Sequence, residues 1–211
     1  MTQTPFEVKP IDLSDSRMLD EAAVVATRAF QFDPFFVHLA PKPLIRARGL
    51  ALFWRSELGV LGDRAEPFGA FDHDGRLIGV SVWVKPGGYP IPIGAQLRQA
   101  AGAFRALIPQ PSALVMGSKY LLAIDKAHPR EPLWYLLMLV TDPPVQRRGI
   151  GGALQEVILE KADAEGLSAY LETQNAHNLP YYRRFGYEVV EELHPVAGGP
   201  PLWTMRREPK G

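Results

Sequence analysis

The strongest constraint on the fold is an apolar segment joined to a helix by a glycine-rich loop. The run "LWYLLMLV" from Leu133 to Val140 is apolar throughout, which predicts a central strand buried on both faces. Apolar residues recur at helical spacing from Ile150 onward, and Gly166 can terminate that helix. The connecting segment "DPPVQRRGIGG" holds more glycines than a turn requires: Gly149, Gly151 and Gly152.

The rest of the chain supplies further strands and helices around this unit. Apolar residues alternate with other residues on both sides of the turn sequence "HDG" in "FGAFDHDGRLIGVSVWVKP". This pattern predicts a β-hairpin over about Pro67 to Lys85. The first helix can be capped by Ser14 or Asp15 and is broken at Asp33-Pro34. The succession of elements predicts an α/β domain with a mixed sheet. Strands are expected at "FEVKPI", "SAYLET", "YEVVEEL" and "LWTMRRE", and helices at "SDSRMLDEAAVVATRAF", "PLIRARGLALFWRSELG", "GAQLRQAAGAFRAL", "SALVMGSKYLLAIDKA" and "LPYYRRFG".

Composition narrows the classes of partner and chemistry. The chain has 211 residues with 23 basic and 23 acidic side chains, so no overall charge attracts nucleic acid or an anionic membrane. The absence of cysteine excludes disulfides, thiolate metal sites and a cysteine nucleophile. The start "MTQTPFEVKP" lacks a signal-peptide core, and no stretch has the length of a membrane span. We therefore expect a soluble cytoplasmic protein that binds no metal, nucleic acid or membrane.

The glycine-rich loop fits neither of two common phosphate-binding fingerprints. It has no lysine, which the P-loop requires, and Leu154 stands where the dinucleotide fingerprint needs its third glycine. A helix start nevertheless offers free N–H groups and a positive dipole end, and Arg147 and Arg148 add positive charge. From the residues alone, a phosphate site and a well-capped loop with solvated arginines are about equally favoured.

Two motifs give the chain a family resemblance. "QRRGIG" is similar to the Gln/Arg-x-x-Gly-x-Gly/Ala signature of the GCN5-related N-acetyltransferase (GNAT) superfamily, and "LETQNAHNLPYYRRFGYEVV" resembles its second hallmark. "HPREPLWYLLMLVTDPPVQ" and "GGPPLWTMRR" resemble the branch that includes puromycin N-acetyltransferase. The resemblance covers Glu131 to Arg207. It implies a mixed, mostly antiparallel sheet with a splay between two central parallel strands, flanked by helices. It also implies one acetyltransferase domain over residues 1–211, with an acetyl-CoA-binding core over 133–207 and a helical and loop excursion over 86–132 near the acceptor site.

The resemblance assigns residues to binding of acetyl-CoA (coenzyme A). The pantetheine arm would add like a strand to the splay, and the pyrophosphate would lie on the glycine-rich loop. Thr141 stands where the family usually has valine and Val140 where it often has glycine; both positions keep their backbone N–H groups. Asn175 and Asn178 are candidates for the pantetheine arm, and Asn178 can also cap the short helix. The expected cofactor residues are Leu139, Val140, Thr141, Gln146, Arg147, Arg148, Gly149, Ile150, Gly151, Gly152, Asn175 and Asn178.

Tyr182 and Glu172 are the expected catalytic residues. Tyr182 matches the family tyrosine that protonates the coenzyme A sulfur; a packing role is the alternative. Glu172 ends a strand near the splay and is either the general base or the partner of an arginine. Histidine is a common general base, but His128 is expected to be a loop histidine. Asp33, Phe35, Phe36 and His38 follow a helix break where this superfamily often lines its acceptor site.

The resemblance therefore implies an N-acetyltransferase that moves the acetyl group of acetyl-CoA to a primary amine of a small molecule, by direct attack in a ternary complex. Alternatives are a transferase using another acyl group or an oxygen acceptor, and a coenzyme A-binding protein without catalysis. A nicotinamide dehydrogenase is a distant alternative because of Leu154. The sequence is compatible with a monomer or a homodimer and leaves the acceptor amine unnamed.

Overall fold

The computed structural model describes residues 6–90 and 111–210 of the chain. The helices are α1 (Ser16–Phe30), α2 (Pro34–Leu39), α3 (Pro43–Leu58), α4 (Pro111–Ala127), α5 (Ile150–Glu165) and α6 (Leu179–Arg183), with 3-10 turns at Gly62–Arg64, Pro143–Val145 and Ala176–Asn178. The strands are β1 (Glu7–Pro10), β2 (Ala65–Phe71), β3 (Leu77–Val84), β4 (Trp134–Thr141), β5 (Ala169–Thr173), β6 (Glu188–Leu193) and β7 (Leu202–Arg207). The helix predicted at "GAQLRQAAGAFRAL" falls outside the described residues.

The strands form a seven-stranded sheet in the order β1-β2-β3-β4-β5-β7-β6. The β4–β5 pair is parallel and the other neighbouring pairs are antiparallel. The predicted mixed sheet is thus confirmed, and so is the central position of the apolar strand β4. Along β4 the register to β3 shifts, with Val82 opposite Met138 and Trp83 opposite Leu136, so Leu137 forms a bulge.

Each face of the sheet is covered by helices that bury an apolar stripe. On one face, α5 contributes Ile150, Leu154 and Ile158 to a cluster that also contains Trp134 and Leu171 of the sheet. On the other face, α1 and α3 pack with the apolar residues of β3 and β4. Within residues 6–90 and 111–210, no helix is both long enough and apolar enough to cross a bilayer.

Local signals in the sequence explain where the helices begin and end. Asp15 accepts a hydrogen bond from the backbone N–H of Arg17 and caps α1, which settles the choice between Ser14 and Asp15. Asp33 caps α2 by accepting from Phe35 N–H, with Pro34 in the first turn. The chain therefore turns at the predicted break and carries α2 toward the C-terminal ends of β4 and β5.

Candidate functional site

The two central parallel strands separate soon after they meet. Within the described residues, β4 pairs with β5 only at Trp134 opposite Ala169 and at Tyr135 opposite Tyr170. Beyond this point β4 remains paired with β3, and β5 with β7. The facing edges of the two strands therefore leave backbone N–H and C=O groups unpaired, as an added strand would require. The predicted splay is present.

The backbone of β5 is open to solvent inside this split. The Glu172 residue is half-buried overall, whereas its side chain is 4% exposed, so the accessible surface belongs to the backbone. On the opposite edge Leu139 and Thr141 are also half-buried, while Val140 is buried. The split is therefore a cleft that a ligand can reach.

The start of α5 lies beside the cleft and exposes unsatisfied amides. Gly149 is the N-cap residue, with φ 84°, and no side chain caps the helix. The first helical hydrogen bond runs from Ala153 N–H to Gly149 C=O at 3.0 Å. Among the described residues, none accepts a hydrogen bond from the backbone N–H groups of residues 147–152. A helix start with free amides and two exposed arginines fits an anionic group such as a pyrophosphate.

Two glycines in the first turn of α5 leave room for Tyr181 of the short helix α6 and for Phe185 just after it. A Cβ on Gly151 would lie 2.8 Å from the Tyr181 hydroxyl oxygen, and one on Gly152 would lie 3.3 Å from the Phe185 ring. The Tyr181 hydroxyl accepts a hydrogen bond from Gln155 Nε2 at 3.0 Å. Sequence reasoning assigned these glycines to ligand approach alone, but they also allow α6 to pack against the start of α5.

A buried carboxylate that sequence reasoning missed anchors the loop between β4 and α5. Asp142 Oδ2 accepts from Arg28 Nη2 at 2.6 Å and from Arg76 Nη2 at 3.0 Å. Its N–H donates to Ile78 C=O at 2.9 Å. The start of the loop is thereby tied to α1 and to the β2–β3 hairpin. Farther along, the Gln146 side chain donates to Thr141 C=O at 3.1 Å.

Tyr182 lies in α6 and is 9% exposed. Its ring packs edge-on against Tyr181 and Tyr187, with centroids 5.2 and 5.8 Å apart. Burial raises the pKa of Tyr182, with further contributions from Tyr181 and the negative charge of Asp33. The phenol is therefore held in its protonated form, and both the packing contact and the capacity to donate a proton are present.

The two asparagines serve the turn at the end of β5. The Asn175 side chain accepts from His177 N–H at 3.1 Å and caps the 3-10 turn. The Asn178 side chain donates to Thr173 Oγ1 at 3.1 Å. Asn178 occupies the N-cap position of α6 but makes no capping hydrogen bond there, so the predicted capping role is wrong.

Asp33 caps α2 and lies beside Asn175, which follows β5. Burial raises the pKa of the Asp33 carboxyl, while hydrogen bonds from the backbone N–H groups of Phe35 and Phe36 and from the Asn175 side chain oppose the shift. Phe35 packs edge-on against Tyr120 of α4, with centroids 4.8 Å apart. Asp33 and Phe35, two of the residues predicted to line the acceptor site, thus lie next to each other, and Asp33 contacts Asn175 beyond the end of β5.

Glu172 is paired with a histidine and with phenols. Its Oε1 lies 3.5 Å from His128 Nδ1, so its basic partner is His128 and not the arginine that was the alternative to catalysis. His128 lies in the loop after α4, as predicted, and is buried there, with 4% of its surface exposed. Burial raises the pKa of Tyr135 and of Tyr170, and the charge of Glu172 raises both further.

The described residues thus form a mixed α/β sheet that splits at its parallel pair, with a helix start beside the split. Residues 32–187 match the sequence model of the acetyltransferase (GNAT) family, and the chain belongs to this family. A curated relative, an uncharacterised N-acetyltransferase of Schizosaccharomyces pombe, is 34% identical over 79 residues, which are 36% of this chain. The match covers 32% of that relative, so the chain spans about a third of the relative's length.

Solved structures agree on the fold. The chain resembles a histone acetyltransferase HPA2 and related acetyltransferase from Corynebacterium glutamicum, with a TM-score of 0.67, 21% identity and 98% of each chain covered. It also resembles the polyamine N-acetyltransferase of Drosophila melanogaster, with a TM-score of 0.58, 17% identity, and 96% of this chain and 99% of that chain covered. At these identities the likeness shows the fold alone.

Proposed function

We propose that the chain transfers the acetyl group of acetyl-CoA to a primary amine of a small molecule, by direct attack within a ternary complex. One observation carries the proposal: the split between β4 and β5 lies beside a helix start whose amides, among the described residues, lack acceptors. An elongated ligand with a pyrophosphate at one end satisfies both features at once. Membership of the GNAT family makes acetyl-CoA the first candidate for that ligand.

The residues present fit this cofactor. The free edge of β4 offers the backbone of Leu139 and Thr141 to the pantetheine arm, whereas the Val140 carbonyl faces Gly79 of β3. When bound, acetyl-CoA supplies a thioester as the acetyl donor. The residues that would surround its pyrophosphate are Gln146, Arg147, Arg148, Gly149, Ile150, Gly151 and Gly152. In our proposal Asn175 and Asn178 contact the pantetheine arm, although their side chains already bond to Asp33 and Thr173.

Tyr182 and Glu172 would move the protons of the reaction. In our proposal Glu172 accepts a proton from the acceptor ammonium, which leaves a neutral amine able to attack the thioester carbonyl carbon. Backbone N–H groups near Leu139 would stabilise the developing oxyanion. Tyr182, held protonated by burial, would donate its proton to the departing thiolate.

The acceptor is proposed to be a moderately apolar amine, in line with the resemblance to the puromycin-modifying branch. Phe35, which is half-buried, offers an aromatic ring, and Asp33 offers a carboxyl group. The polyamine N-acetyltransferase with a similar fold acts, by its name, on cationic amines, and such amines belong in the test.

The test is a thiol-release assay with acetyl-CoA and a panel of puromycin, 2-phenylethylamine, agmatine and a short peptide. The chain contains no cysteine, so a thiol reagent reports only free coenzyme A. We expect release that depends on one class of amine, and protection against heating by coenzyme A but not by NAD. Ligand at a hundred times its Kd stabilises by about 2.7 kcal/mol, or roughly 5–10 °C for a chain of this size. Protection by NAD and not by coenzyme A would overturn the proposal.

A further inference from the structure

A buried pair of titratable side chains lies where β4 and β5 begin to separate. His128 directly follows α4, and Glu172 lies in β5. Their side chains are 2% and 4% exposed, and His128 Nδ1 lies 3.5 Å from Glu172 Oε1. Among the described residues, neither atom has a hydrogen-bond partner. Buried polar atoms are almost always partnered, so two such atoms facing each other require an explanation.

The surroundings give Glu172 no other positive partner. The His128 ring lies between the rings of Tyr89, Tyr135 and Tyr170, at centroid distances of 3.8, 4.8 and 4.9 Å. Tyr89 donates its hydroxyl hydrogen to Asp125 at 3.1 Å, and Arg130 and Glu131 lie on the outer side of this cluster. Within the described part of the chain, His128 is the one basic group within 4.0 Å of the Glu172 carboxylate.

The pair is placed to act in the cleft. Tyr170 is the last residue of β5 that pairs with β4, and Glu172 is the next residue on the same face. The Glu172 backbone is open to the cleft while its carboxylate is held beneath it by His128. A carboxylate left alone among phenols and shielded from water would favour its neutral form, which cannot accept a proton.

We infer that His128 is a positioning residue that keeps the Glu172 carboxylate ionised in its place beneath the cleft. This inference rests on the proposed function. The acceptor ammonium gives one proton by way of water to Glu172, and that proton passes through His128 to water. The amine nitrogen then bonds to the acetyl carbon as the carbon–sulfur bond breaks. The thiolate takes a proton from Tyr182, the acylated nitrogen gives its second proton to water, and Tyr182 regains one from water. A cavity of about 50 Å³ bordered by Tyr89 and His128 has room for such water.

The first experiment compares pH–rate profiles of His128→Asn, Glu172→Gln and His73→Asn with the wild type, using the panel amine of highest rate. Glu172→Gln should lower kcat by about a hundredfold. His128→Asn retains a donor near the Nδ1 position but no charge, so the acidic limb of kcat/KM should move up by about one pH unit. His73→Asn makes the same change at an exposed histidine between β2 and β3 and should leave the profile unchanged. An unmoved limb in His128→Asn would refute the inference.

The second experiment uses the ligand-free protein, so it does not depend on catalysis. The imidazole signals of the five histidines are followed by NMR against pH, and His128 is assigned by its loss in His128→Asn. In Glu172→Gln the titration midpoint of His128 should fall, since the imidazolium loses its negative partner. An identical midpoint would show that the pair is not coupled. A coupled pair in a protein that acetylates no amine would instead reject the proposed function while the pairing stands.

Discussion

Replacing Gly149 with alanine should weaken coenzyme A binding by about five- to thirtyfold. Gly149 has φ 84°, a left-handed conformation that costs a residue with a Cβ about 1–2 kcal/mol. A Cβ there meets no atom within 4 Å, so strain is the whole perturbation. The loop from Arg147 to Gly149 is exposed, and we expect it to relax in the free variant. Coenzyme A must then restore the strained conformation to reach the amides, and the strain energy appears as lost affinity.

Gly166 provides the matched control at the other end of the same helix. Its φ is 67°, and a Cβ there also meets no atom within 4 Å. Because its N–H is bonded to the helix end, Gly166→Ala should lower the free energy of unfolding by about 1–2 kcal/mol without changing coenzyme A affinity. Calorimetric titration and thermal unfolding of both variants separate the two effects. Unchanged affinity in Gly149→Ala, or equal loss in both variants, would refute the assignment of this helix start to the pyrophosphate.

Three further substitutions test other parts of the molecule. Tyr182→Phe should lower kcat and leave acetyl-CoA affinity nearly intact, whereas Tyr187→Phe in the same aromatic cluster should change neither. A kcat of Tyr182→Phe equal to that of the wild type would show that another group is the general acid. Asp163→Asn should cost about 1.5–3 kcal/mol in unfolding at neutral pH, because Asp163 pairs with buried Arg207. That pairing lowers the pKa of Asp163, so the pair contributes fully to the free energy of unfolding above the ordinary value of 3.8. The contribution is lost at lower pH, so the difference between variant and wild type measured by denaturant titration should vanish there. Asp142→Asn should reduce both unfolding free energy and coenzyme A affinity, since it loosens the anchor of the loop; affinity unchanged in calorimetry would contradict that role.

Local chemistry made most of the fold predictable. The apolar run ending at Val140, the glycines flanking α5 and the proline after Asp33 each act on their own neighbours, and the structure confirms the elements that they predict. The split between β4 and β5 is different, because pairing between strands leaves no periodic signal. It was expected only through the family resemblance and is now seen as pairing that stops at Tyr135 and Tyr170.

Contacts between distant residues account for what the sequence did not reveal. Asp142 accepts hydrogen bonds from Arg28 and Arg76, each more than sixty residues away in the sequence. No local sequence pattern near any of the three indicates this cluster. His128 was predicted to be a loop residue, but its burial against Glu172 results from the tertiary fold and has no local signal. Such partners become visible only when the sheet and the helices are assembled.

The most direct test of the account is an NMR titration of ¹⁵N-labelled protein with coenzyme A. If the pyrophosphate lies at the start of α5 and the pantetheine arm lies in the split, the backbone amide signals of Gly149, Gly151 and Gly152 should shift most, followed by those of Leu139 to Thr141. Saturable binding that leaves these amide signals in place, or shifts confined to other parts of the chain, would contradict the central claim.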